Sequence, residues 1–205
     1  MHQTNEQVPA GALDATLPVV DDEDEYSAED YDKDAAKQAF ADYIQDENLL
    51  GAVSEIWEMP GLGVIFELDE WLEYAGVTPE ILAELIPEYW MRLEFPAERF
   101  GYEWHVDLFL RAGFVTDTPG VTRPDATITV YRGATLDYAE GMSWTLDRAR
   151  AERFARRWRG LWGAERVYAA EVHPAFVLAI LHGRNEQEGV VDPSGLQNVR
   201  EVPFS

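Results

Sequence analysis

An α+β fold, helices first and strands last, is what this sequence predicts, and three observations carry the prediction. Apolar side chains recur at helical spacing between residues 36 and 113. Past Pro119-Gly120 the pattern turns to short alternating runs rich in β-branched residues. Hydrophobic residues at 46% and aromatic residues at 12% furnish a core, which excludes a chain disordered throughout. At 205 residues the chain suits one domain, or one domain with an extension. The expected organisation is an acidic disordered tail over 1–35, a helical part over 36–120 and a β-rich core over 121–205, with 36–205 forming one compact unit.

In the tail, Asp21-Asp22-Glu23-Asp24-Glu25 runs on into Glu29, Asp30, Asp32 and Asp34 with little that is apolar between them. Like-charge repulsion and the lack of anything to bury predict disorder. The stretch reads either as a solubilising tail or as a decoy for a basic surface, such as a nucleic-acid site on another protein. Phe40, Tyr43 and Ile44 mark the first helix. Gly61-Leu62-Gly63 lacks the third glycine of a phosphate loop and reads as a turn. Thr78-Pro79-Glu80 supplies an N-cap, a proline at the first helical position and a first-turn acid. Ile81, Leu82, Leu85, Ile86 and Tyr89 then form one buried stripe, which Pro87 kinks or ends. A further helix is predicted over Tyr102–Ala112, closed by Gly113.

Strands are predicted at Thr127–Tyr131, Gly141–Thr145, Arg166–Val172, Val177–Leu181, Gly189–Asp192 and Val199–Val202, with Asp192-Pro193-Ser194-Gly195 as the turn before the last. Between the second and third lies an amphipathic helix with Ala151, Phe154, Ala155 and Trp158 inward and Gly160 at its stop. Its arginines, Arg148, Arg153, Arg156 and Arg159, have two readings. They form a solvated face paired with the acidic N-terminal half, or they lie near a cleft where they draw in an anionic cofactor or are themselves modified.

Charge narrows the function classes. Asp and Glu total 39 against 16 Lys and Arg, for a net charge of −23. The first 120 residues hold 28 acidic and 5 basic residues, and the rest balance at 11 of each. Phosphate backbones repel such a chain, so direct nucleic-acid binding is not expected. The absence of Cys excludes disulfides, thiolate zinc sites and Cys nucleophiles. His2, His105, His173 and His182 are too dispersed for a short-spaced ligand pair, so no metal is expected. No apolar run approaches the ~20 residues of a membrane span. No basic region leads into an apolar stretch at the start, and the expected location is the cytoplasm.

Three short pieces at strand ends carry the chemistry: Tyr131-Arg132-Gly133, Ser143-Trp144-Thr145 and Glu186-Gln187-Glu188. Each alone is common. In this order, among strands with one intervening helix, the segment from Ile128 to Val202 resembles the mono-ADP-ribosyltransferases of the R-S-E class, the group of cholera-toxin-like and bacteriophage enzymes. The resemblance implies NAD as substrate, a protein as acceptor, and a phage or bacterial effector. It implies a β-sandwich-like catalytic core with the helical part packed on it. In this scheme Glu188 holds a ribose hydroxyl and stabilises the charge of an oxocarbenium-like transition state. Arg132 grips a phosphate through its planar fork, and the backbone of Gly133 faces the nicotinamide amide. Ser143 orients Glu188, while Glu186 receives an acceptor arginine.

Further points follow from the same motifs. If residues 186–188 are extended, Glu186 and Glu188 point the same way and flank one site. Such a pair raises its own proton affinity unless a cation relieves it, and Arg184 is a candidate or else a plain surface arginine. Tyr131, Tyr138 and Phe154 are candidates to cover the nicotinamide, each also a reasonable core residue. Ser143-Trp144-Thr145 departs from the commoner Ser-Thr-Ser, and Trp144 reads as core or as a nicotinamide stacker. The catalytic half is short for the family, so helices from 36–113 are expected to complete the cleft. Two alternatives stand beside transfer to arginine: an NAD glycohydrolase with water as acceptor, and a non-enzymatic acidic inhibitor that mimics nucleic acid on the same scaffold.

Overall fold

The structure, a computed structural model, describes residues 31–59, 64–93, 96–157, 166–183 and 187–205. Residues 1–30 of the acidic tail, Gly61-Leu62-Gly63, Trp158, Arg159, Gly160, Arg184 and Glu186 lie outside the described residues. Tyr31–Ser205 forms one compact unit.

Helix α1, Lys33–Gln45, starts where the Asp32 carboxylate accepts the Ala35 amide at 3.0 Å, so helix replaces the last three residues of the expected tail. Helices α2 (Leu49–Glu58) and α3 (Val64–Tyr74) follow. In α4, Pro79–Trp90, the Thr78 hydroxyl accepts the Ile81 amide at 3.3 Å as the N-cap. Pro87 does not end this helix, which runs three residues further with Pro87 buried. Helix α5, Pro96–Ala112, is interrupted at Gly101 (φ 75°, ψ 165°), so its regular part is the predicted Tyr102–Ala112. Gly113 closes it at φ 86°, its amide on the Phe109 carbonyl.

The strands are β1 (Val115–Thr116), β2 (Ile128–Ala134), β3 (Ser143–Thr145), β4 (Arg166–Val172), β5 (Val177–Leu181), β6 (Glu188–Val191) and β7 (Leu196–Val202), with α6 (Arg148–Arg157) between β3 and β4. They join in the order β1-β5-β6-β3-β2-β4-β7, with β1 parallel to β5 and the other pairs antiparallel. This is one mixed sheet where the resemblance implies a sandwich-like core. The reason is β3, which pairs with β2 through Tyr131↔Thr145 on one side and with β6 through Ser143↔Val190 and Thr145↔Glu188 on the other. The two strand groups are thereby fused edge to edge.

One apolar cluster runs from the helices into the sheet, joining Phe40, Ile56, Trp71, Leu85 and Phe109 to Leu178, Leu181 and Val190. A second holds Val130, Trp144, Tyr168, Ala170 and Val191 under Phe114, Val121 and Phe176. A third seats Ala151 and Ala155 of α6 on Val167 of β4. The α6 arginines pair locally: Arg148 and Arg156 with Glu152 at 3.4 and 3.5 Å, and Arg150 with Asp147 at 3.3 Å. For Arg148 and Arg156 this partner lies on the same helix, since Glu152 stands at i,i+4 from each. No helix among the described residues is long and apolar enough to cross a membrane.

Candidate active site

Strand β3 is only three residues long, yet it sits between β2 and β6, and that position gathers Arg132, Ser143 and Glu188. The Ser143 hydroxyl donates to Glu188 Oε1 at 2.5 Å. The Trp90 indole N–H, from the end of α4, donates to the same oxygen at 2.9 Å. Arg132 Nε donates to the Tyr138 carbonyl at 2.9 Å, and its Nη1 donates to the Ser143 carbonyl. Arg132, Ser143 and Glu188 thus form a connected set, with Ser143 bonded to Arg132 through its backbone and to Glu188 through its side chain.

Two neighbours complete the set. A Cβ added at Gly141 would lie 3.1 Å from Arg132 Cζ and Nη2 and from the Tyr102 hydroxyl, so the missing side chain is what lets these groups meet there. Enclosure lowers the proton affinity of the Arg132 guanidinium, and the nearby Tyr102 and Glu188 act against that shift. Thr145 secures the approach to Glu188. Its hydroxyl donates to the Gln187 carbonyl at 3.3 Å and accepts the Asp147 amide at 3.1 Å, while the Leu146 amide also reaches the Gln187 carbonyl at 3.2 Å.

The remaining sequence candidates take other positions. Gly133 has a packing reason: a Cβ there would fall 2.2 Å from the Ala151 carbonyl and 2.4 Å from the Ala155 amide, so α6 presses directly on β2. Tyr131 is half-buried and packs under the same helix with Ala151, Ala155 and Val167. Trp144 is core, 2% exposed, with its N–H on the Gly141 carbonyl at 2.7 Å. Phe154 is half-buried on α6. Tyr138 stays beside Arg132 through its carbonyl, with its side chain exposed. Gln187 has φ 47°, so the backbone between the two glutamates is not extended and the period-two argument for a shared direction fails at that residue.

Trp90, Tyr102 and Gly141 are the site residues that sequence reasoning misses. A buried indole at a helix end calls for a hydrogen-bond partner, but nothing in the local pattern points to one 98 positions away. Among the described residues no three His, Asp or Glu gather as a metal site. No family model, curated protein or solved structure matches the chain.

Proposed function

We propose that this protein is an NAD-dependent mono-ADP-ribosyltransferase acting on a protein, with arginine as the acceptor residue. The observation that carries the reading is the connected set Arg132–Ser143–Glu188 at the junction of β2, β3 and β6. In the reaction, the bond between ribose and nicotinamide breaks, its electron pair leaves with nicotinamide, and the ribose carbon gains positive charge. An acceptor nitrogen then bonds to that carbon and releases a proton. Two donors on Glu188 Oε1 favour its ionised form, which suits it to bind a ribose hydroxyl and offset the charge. Arg132, braced by two backbone carbonyls, offers a fixed cation to the pyrophosphate. Tyr138, whose carbonyl accepts from Arg132 and which is 44% exposed, is our candidate to cover the nicotinamide.

Purified protein incubated with labelled NAD and cell extract should transfer label and release nicotinamide, and Glu188→Ala should cut both by about a thousandfold. Neither activity in the wild type, where a control transferase works, rejects the reading. The bend at Gln187 also favours a second one, an NAD glycohydrolase, because it removes the geometric premise for a guanidinium held between two parallel carboxylates. Nicotinamide release without labelled protein selects hydrolysis. Glu186→Ala then changes little, whereas in a transferase it cuts transfer far more than cleavage.

A further inference from the structure

We propose that Trp90 is a positioning residue for Glu188, through which the helical half fixes the carboxylate; the inference rests on the reading of Glu188 as the group that acts on NAD. Trp90 ends α4 and is 3% exposed. Its ring meets Phe109 edge-on at 5.2 Å and His105 edge-on at 5.7 Å. His105 is itself pinned, by the Gly101 carbonyl at 2.7 Å and the Tyr89 hydroxyl at 3.2 Å. The indole therefore has a fixed place, from which its N–H reaches Glu188 Oε1 at 2.9 Å.

Ser143 donates to that same oxygen from the sheet. Two donors on one oxygen, one from the sheet and one from the helical layer, narrow the swing of a carboxylate more than one donor does. The two donors differ in kind. Ser143 can reverse and accept, whereas an indole N–H only donates, so Trp90 favours the ionised carboxylate. Among the described residues, the charged and titratable groups beside this contact include Arg132 of β2, which faces Glu188, Tyr102 of α5 beside Arg132, and His105 of α5, whose ring meets Trp90.

Trp90→Phe keeps a ring in the aromatic cluster and removes the N–H. Two readouts follow. Carboxyl NMR titration of Glu188 should show its pKa raised by about one unit in the variant. Nicotinamide release should show kcat reduced about tenfold with KM for NAD unchanged. An unchanged Glu188 titration overturns the proposal whether or not the protein cleaves NAD. A raised pKa in a protein that cleaves no NAD supports the contact and rejects the enzyme reading, so the two failures are distinct. If Trp90→Phe does not fold, the Trp90 indole N–H resonance is compared in wild type and Glu188→Gln. It should move when the charge is removed, and a resonance that stays put overturns the proposal.

Discussion

Arg132 commits Nε and Nη1 to the carbonyls of Tyr138 and Ser143, which fixes the plane of the guanidinium before any ligand arrives. Gly141 is the floor on which that plane rests. Gly141→Ala places a methyl 3.1 Å from Cζ, Nη2 and the Tyr102 hydroxyl, so the guanidinium must yield by a few tenths of an ångström. Small displacements of a binding group cost rate more than stability. NAD cleavage is therefore expected to fall about tenfold, while the melting temperature moves by no more than about 2 °C. Steady-state kinetics and a thermal melt on one sample check both, and a variant with full activity would show that Arg132 is not gripped there. Arg132, Ser143 and Glu188 were legible in the sequence because each is part of a short ordered motif. Trp90 was not, since a hydrogen bond between residues 98 apart leaves no periodic trace.

Within α5, the interruption at Gly101 turns a carbonyl onto His105 Nδ1, which accordingly carries the proton and donates. Nε2 then accepts from the Tyr89 hydroxyl, and the ring is neutral. Burial holds the His105 pKa down at about 4, against a smaller opposing effect of the Gly101 carbonyl. An unfolded chain takes up a proton here below its ordinary value near 6.5, whereas the folded chain does so only near 4. The folded state is thus at full strength above 6.5 and loses about 3 kcal/mol as pH falls through that window. Urea unfolding from pH 7 to 4 should show this slope, and His105→Gln should flatten it. A slope unchanged in the variant would assign it to other groups. The elements themselves follow the sequence where period and caps act locally, as at Thr78-Pro79 and Tyr102–Ala112. The sequence misleads where a neighbour decides. Two-residue β1 exists by pairing with β5 and is too short to show a period. Gln187 leaves the extended region at φ 47° just before β6 begins, between glutamates expected to share a face.

Across the whole molecule, charge and core pull in different directions. A single apolar cluster binds the helices to β5 and β6, while the net charge of −23 is concentrated in the first 120 residues. Arg148, Arg150 and Arg156 of α6 pair with Glu152 and Asp147 in their own half. Among the described residues of the helical part, Lys33 pairs with Glu67, Lys37 with Glu70, and Arg111 with Asp69 and Asp107. Such pairs are worth about 0–1 kcal/mol each, so screening them costs little. The repulsion among the surplus carboxylates is long-range, and it fades as the Debye length shrinks from about 10 Å at 0.1 M salt to about 3 Å at 1 M. Salt should therefore stabilise this protein. Between 0.02 and 0.5 M the melting temperature is expected to rise by about 5 °C, equally in NaCl and KCl because the effect is screening and not specific binding. A melting temperature that falls with salt would mean that these surface pairs outweigh the repulsion, and that the acidic surface is balanced in the fold after all.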